Sequence, residues 1–507
     1  MAEAEELGHL VRRGVAWSAL NSLSSRVAGF LVGLVVARLV APADFGVFAI
    51  ALVVYEILVQ LSELGTGAVL LRDDRATVER RAPTVFSIGL VASAVAAGGL
   101  ALAAPTLARL GGAPEAASAL AVMSLVVLVA GSTAVPVALL RRDFSMHRLL
   151  AADAAFFVAS STVVLVLGAA GWGPMALAWS RVAGQVASAA MLFLLAPRRY
   201  RPGFDRHEAR AMLVFGLPLA GASLVAYAIQ NIDYVVVANV LGTVPLGLYV
   251  LAFNISGWPT GILAPIVRSV ALPGFARLDE CGVALSDHFA RAVGAVAKVT
   301  FPACATIAVL AQPLVRILYG PKWAGAVSAV VWLSVVGALR IIAALFHDVL
   351  IALGRTRRVL AVQILWLSAL GPTLAIGARM GGLPGVGAAH ALVACAVALP
   401  AYLWAIHKAG VNPTPACRAL AVAMLWACGA GAGSKFAASA FANPWVGFAA
   451  GGSVGALVTL AAHGAALRRA MAGLRAARPA RVEGADQPSI AGIRAGSTTF
   501  LGRLKPR

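Results

Sequence analysis

Charge is scarce in this chain: Asp, Glu, Lys and Arg make up 12% of its 507 residues, about half the roughly 25% of an ordinary soluble domain. Acidic side chains are the scarcer kind, 21 against 41 Lys and Arg. So little polar surface cannot clothe several soluble domains, which a chain of this length would otherwise form. Cysteine is also sparse. Cys281, Cys304, Cys395, Cys417 and Cys428 are odd in number and widely scattered, with neither zinc spacing nor a disulfide framework, and are expected as small core residues. No Gly-rich phosphate loop, zinc signature or nucleophile elbow is present, and no external loop is long enough to build a catalytic domain. Asp73 and Asp74 are flanked by Arg72 and Arg75 and read as solvated charge. The expectation is a non-enzyme with no cofactor and no metal. The start, MAEAEELGHLVRRG, lacks the pattern of a cleaved signal peptide.

What fills the chain is apolar. Hydrophobic residues make up 60% of it and the mean hydropathy is +0.87. They fall in runs of about 20 residues, the length that crosses a bilayer. Spans are predicted at 15–37, 45–65, 82–104, 117–139, 150–170, 174–196, 212–232, 246–270, 290–312, 324–350, 357–378, 384–407, 416–437 and 445–467. Lipid offers the backbone no hydrogen-bond partner, and the period-2 alternation of a barrel is missing, so the spans must be helices. The predicted fold is an all-α polytopic membrane protein of about 14 transmembrane helices.

Basic side chains resist translocation and remain cytoplasmic. One side carries Arg12 and Arg13, then Arg72, Arg75, Arg80 and Arg81, then Arg141, Arg142 and Arg148, then Arg198, Arg199, Arg201, Arg206 and Arg210, then Arg277, then Arg355, Arg357 and Arg358, then Lys408 and Arg418, and the tail. The opposite loops hold only Arg38, Arg109, Arg316, Lys322, Arg379 and Lys435. Both termini are therefore predicted in the cytoplasm. The formal net charge of +20 comes without a nucleic-acid-binding motif, so anionic membrane lipids are the expected partner and nucleic acid is not. The predicted organisation is a cytoplasmic N-terminus (1–14), an N-lobe of six helices (15–196), a basic linker (197–211) and a C-lobe of six helices (212–407). Two extra helices (416–467) and a basic, mostly disordered tail (468–507) follow.

The two lobes resemble each other. VVARLVAPADFGVFAIA, from Val35 to Ala51, aligns without a gap on VVANVLGTVPLGLYVLA, from Val236 to Ala252, with Gly46 on Gly247 and Phe48 on Tyr249. An even number of spans separates them, so the repeat is parallel, related by an axis along the membrane normal. Such a pair encloses a cleft near mid-membrane, and rocking opens it to alternate sides. Gly216 with Pro218, Pro259 with Pro265, Pro302, and Gly371 with Pro372 are candidate hinges.

Charges inside spans cost at least roughly 2.5–3.5 kcal/mol at the bilayer centre and should face one another or a wet cavity. Arg26 and Glu56 fall near mid-membrane on consecutive spans and are expected to pair, either as a packing salt bridge or in function. Arg181, Lys298 and Arg340 are expected to line the cavity. Asp233, and His347 with Asp348, are candidates for binding a coupling proton or cation, with helix-end roles as the alternative. Arg268, Arg291 and Asp153 are expected to snorkel to the headgroups. Arg26, Arg181, Lys298 and Arg340, opposed by Glu56 and Glu63, make a net positive lumen. That lumen favours an anionic cargo such as a diphosphate, which the planar guanidinium can grip through two oxygens.

Several stretches resemble the Wzx-type oligosaccharide flippases of the multidrug/oligosaccharidyl-lipid/polysaccharide (MOP) superfamily. They are VARLVAPADFGVFAIA (Val36 to Ala51), LLRRDFSMHRLLAAD (Leu139 to Asp153), GWGPMALAWSRVAGQ (Gly171 to Gln185), GWPTGILAPIVRSVALPGFARL (Gly257 to Leu278) and LYGPKWAGA (Leu318 to Ala326). The resemblance implies a V-shaped pair of six-helix lobes and transport of an undecaprenyl-diphosphate-linked oligosaccharide across the cytoplasmic membrane without ATP hydrolysis. Polysaccharide polymerase and chain-length machinery would be its protein partners. Lipid II flippases and multidrug or cation antiporters of the same superfamily are the alternatives within the class. A multi-pass polysaccharide polymerase or ligase is the alternative outside it.

Overall fold

The computed structural model describes residues 29–63, 75–143, 145–196, 202–280 and 285–476. Among them the chain is helical and contains no strand. In chain order the helices are α1 (Gly29–Leu39), α2 (Pro42–Glu63), α3 (Arg75–Leu110), α4 (Ala117–Arg142), α5 (Met146–Ala169), α6 (Pro174–Leu195) and α7 (Arg206–Leu241). Next come α8, in two pieces (Thr243–Ser256 and Trp258–Glu280), α9 (Leu285–Val309), α10 (Val327–Ala352), α11 (356–380), α12 (383–408), α13 (Thr414–Ser439) and α14 (Pro444–Ala476). Within the described residues each predicted span overlaps one of these helices, and residues 15–28 of the first span lie outside the described residues. Ten helical stretches among the described residues are long and apolar enough to cross a bilayer on their own.

The breaks follow local chemistry. The pieces of α8 meet at 46° around Gly257, two residues before Pro259, which has no backbone N–H to continue the helical ladder. The predicted gap between α11 and α12 is real but minimal. Only Gly381 and Gly382 leave helical geometry, Gly382 with φ +58°, a conformation that suits a residue without Cβ. By contrast Gly371 and Pro372, predicted as a hinge, lie inside an unbroken α11. Helix α14 continues to Ala476, past the predicted end at 467, because the alanine-rich sequence there has high helix propensity. Residues 1–28, including Arg26, and 477–507 lie outside the described residues, as do Asp73 and Asp74.

The cysteine expectation is corrected. Cys304 is buried, but Cys395, Cys417 and Cys428 are exposed. In a bilayer an apolar face needs no protein cover, so apolar context in the sequence does not imply core.

Core packing divides the molecule by depth. At the predicted outer end one apolar cluster is continuous across both lobes, joining Ile50, Leu120 and Met123 of the N-lobe to Leu246, Tyr249, Trp323 and Leu333 of the C-lobe. At the inner end the clusters among the described residues are separate. The C-lobe has its own around Phe289, Phe346 and Tyr402, and the N-lobe has small ones around Val85 with Val135 and around Leu140 with Leu192.

Candidate functional site

The shared outer core is closed by contacts that obey the repeat. Gly46 on α2 and Gly247 on α8 touch backbone to backbone. A Cβ on Gly46 would run into the Thr243 carbonyl, and one on Gly247 into the Pro42 carbonyl, which are themselves equivalent positions of the aligned repeat. Around the crossing, helix ends are capped across the lobes. The last carbonyls of a helix lack intrahelical partners. Those at the end of α1 accept from the C-lobe: Lys322 Nζ donates to Arg38 O at 2.9 Å and Val40 O at 2.8 Å, and Trp323 Nε1 to Ala37 O at 2.8 Å. In return Arg38 donates to Ile317 O at 2.9 Å and Leu318 O at 3.2 Å. The equivalent of Arg38 in the second repeat, Asn239, donates to Leu110 O at the end of α3, at 3.2 Å.

Below this seal the inward-pointing polar residues gather around α7. Glu56 on α2 and Arg181 on α6 lie within electrostatic reach of each other, and both reach Tyr227 on α7. Arg181 also stacks over the Phe156 ring at 5.8 Å. Two turns further along α7, Tyr234 interacts with Tyr227 on one side and with Asp233 and Arg340 on the other. Arg340 sits over the Phe253 ring at 4.8 Å and within reach of Asp233 and His390. Asp233 is buried. Its Oδ2 accepts from Tyr249 Oη at 2.9 Å, its Oδ1 accepts from the Tyr234 backbone N–H at 3.0 Å, and Tyr249 Oη lies 3.4 Å from His390 Nδ1. Tyr249, Tyr234 and Phe253 pack edge to face or tilted around this group.

The structure thus joins four of the predicted residues, Glu56 and Arg181 from one lobe and Asp233 and Arg340 from the other, through the tyrosines of α7. The partner expected for Glu56, Arg26, lies outside the described residues; the cation described beside Glu56 is Arg181. Lys298 is half-buried on α9, a helix packed against α10, α13 and α14. His347 and Asp348 form a separate group with Arg268, near the inner end. Asp348 Oδ2 accepts from Arg268 Nε at 3.3 Å, and His347 Nδ1 lies 3.1 Å from Asp348 Oδ1. Arg268 is therefore ion-paired within the C-lobe through Nε while its side chain stays 66% exposed. His390 and Tyr249 were missed by sequence reasoning. Each is a single polar group in a long apolar run, though Tyr249 stood in the repeat opposite Phe48, where its added hydroxyl was the available signal. A cavity of about 570 Å³ between α5 and α6, lined by Val163, Leu167, Trp172 and Trp179 among others, is wholly apolar and lies apart from these charges.

The described helices, with ionisable residues of both repeats converging on α7, define an all-α polytopic membrane protein of the transporter class. In solved structures the same fold recurs in "Lipid II flippase MurJ, inward closed conformation", with TM-score 0.74 and 13% identity over 89% of this chain and 99% of that one. A multidrug resistance MATE transporter superposes with TM-score 0.60 in its inward-facing conformation (18% identity, 77% of this chain, 98% of that one) and 0.51 in its outward-facing conformation (18%, 78% and 95%). The polysaccharide biosynthesis protein family model matches residues 35–328, more than half of the chain, and the chain belongs to that family. Among its relatives are the lipopolysaccharide biosynthesis protein WzxC of Escherichia coli, 25% identical over 74% of this chain and 76% of the relative, and the succinoglycan biosynthesis transport protein ExoT of Rhizobium meliloti, 26% identical over 62% and 63%.

Proposed function

We propose that this protein is a flippase of the cytoplasmic membrane, both termini inside, which carries an undecaprenyl-diphosphate-linked oligosaccharide to the outer face by alternating access. The observation that carries the reading is the placement of Arg181 and Arg340, one from each lobe, around a single helix beneath a sealed outer end. Two arginines on opposite walls suit a diphosphate, whose charge is divided over two phosphate groups. The seal across Gly46 and Gly247, the separate inner cores and the closer likeness to an inward-facing relative all support a state that receives cargo from the cytoplasmic side. Asp233, hydrogen-bonded to Tyr249 with His390 beyond it, is the proposed coupling group: protonation of its carboxylate would change the charge facing Arg340. Glu56 balances Arg181 on the opposite wall. Anionic lipids surround the basic inner rim, and polysaccharide polymerase and chain-length machinery take the product.

The test is complementation of a strain lacking the chain. Deletion should leave lipid-linked oligosaccharide stranded on the inner leaflet and abolish surface polysaccharide. Arg181→Ala and Arg340→Ala should each fail to restore export while reaching the membrane at normal levels. Full export by both variants, or no accumulation of a lipid-linked species on deletion, would refute the assignment.

A further inference from the structure

Arg268 and Asp348 invite a second reading of the inner end. Asp348 is four residues from the end of α10, about 6 Å along the axis at 1.5 Å per residue. A helix of 26 residues is about 39 Å long, so against a hydrocarbon core of about 30 Å this carboxylate lies near the inner boundary of the lipid tails. Its side chain is 7% exposed while that of its partner Arg268 is 66% exposed. The pair is therefore lopsided: a buried anion holds Nε of a guanidinium whose side chain is largely exposed. His347 occupies the second carboxylate oxygen at 3.1 Å and so fixes the rotamer of Asp348. Arginine has five donors in a rigid fork, and a carboxylate held on one edge leaves the other edge preorganised for a second planar or tetrahedral anion. At this depth the anions available are phosphates, of a lipid headgroup or of a lipid-linked diphosphate.

We infer that Arg268, positioned by Asp348 and His347, is a phosphate-docking residue at the inner membrane boundary, separate from the Arg181–Arg340 group. It would seize the phosphate of a lipid before the lipid reaches the deeper arginines. The identity of the cargo rests on the proposed transport function; the phosphate site itself does not.

The experiment is native mass spectrometry of the purified full-length protein titrated with two probes, undecaprenyl diphosphate and dioleoylphosphatidylglycerol. Arg268→Ala should weaken binding of at least one probe about tenfold, the scale of one hydrogen-bonded contact to a charged group. A loss confined to undecaprenyl diphosphate identifies a cargo site, and an equal loss for both identifies a headgroup site. Arg268→Lys, which keeps the ion pair and hence the fold, should show a smaller loss in the same direction. Asp348→Asn keeps an acceptor for Nε but leaves the guanidinium charge uncompensated, so phosphate binding should hold or tighten even as stability falls. Wild-type binding by both Arg268 variants, or a loss in Asp348→Asn parallel to that in Arg268→Ala, would overturn the inference and leave a purely structural pair. Arg181→Ala and Arg340→Ala measured alongside separate the two ideas. If only they lose undecaprenyl diphosphate, docking at Arg268 falls and the deeper site stands; if only Arg268→Ala does, the reverse holds.

Discussion

The two ends of the molecule are fastened in different ways. At the predicted outer end the lobes share an apolar core and meet through a glycine crossing, with side-chain donors capping bare helix carbonyls. At the inner end the cores among the described residues belong to single lobes, and the described cross-connection is the linker and the start of α7. Buried Glu208 accepts from Arg80 Nε at 2.9 Å and Arg81 Nε at 2.6 Å, and the Gly203 and Asp205 N–H groups donate to Ser87 Oγ and Thr84 Oγ1 on α3. One end is a shape fit between two lobes. The other is an ionic bolt that ties the connecting segment to the N-lobe. Shape fits tolerate no added volume, whereas exposed ion pairs tolerate much.

The contrast can be broken first at the glycines. Gly247→Leu should cost about 3 kcal/mol or more through overpacking against backbone and abolish export. Gly98→Leu, where a side chain meets open space, should stay within about 0.5 kcal/mol; thermal unfolding in detergent compares the two. Next come the caps. Combining Arg38→Ala with Lys322→Ala removes four donor contacts, two of each residue. After discounting for solvent this should weaken outer closure by about 2 kcal/mol, a roughly 30-fold shift in population. Faster labelling of a cysteine at Tyr227 by an impermeant external thiol reagent, in a background with the native cysteines replaced, would report it. At the inner bolt, Arg81→Ala should cost about 2 kcal/mol because its partner Glu208 is buried. Arg80→Ala, whose side chain is 65% exposed, should cost about 0.5 kcal/mol or less and lose even that in high salt.

The smallest effect belongs to Asp205, which caps α7. The backbone N–H groups of Glu208 and then His207 hold its carboxyl below the ordinary value of 3.8. A lowered value in the fold means that the cap stabilises above pH 3.8 and fades as pH falls through the folded value. Asp205→Ala should therefore lower the unfolding midpoint at pH 7 and match the wild type once pH is well below that range.

How far the sequence foretold this depends on which solvent set the rule. The helices among the described residues were legible because hydrocarbon forces helices of fixed length, and the Gly46–Gly247 correspondence was legible because the repeat keeps its contacts. The arginines Arg181 and Arg340 stood out because charge inside lipid is costly. His390 and Tyr249 did not, since neither carries an obligatory charge and only the fold brings them to Asp233. Lys322, read as one of few external charges, proved to be a cap on the opposite lobe, a role fixed by tertiary geometry alone. The exposed cysteines show the converse error, in which a rule for water-soluble cores was applied to a surface bathed in lipid.

A glycine seat carries one more implication. With no side chain to compress, the two backbones either touch or part, and a half-open lid gains nothing from partial contact. Such an all-or-none stop disfavours any posture in which the passage communicates with both faces together.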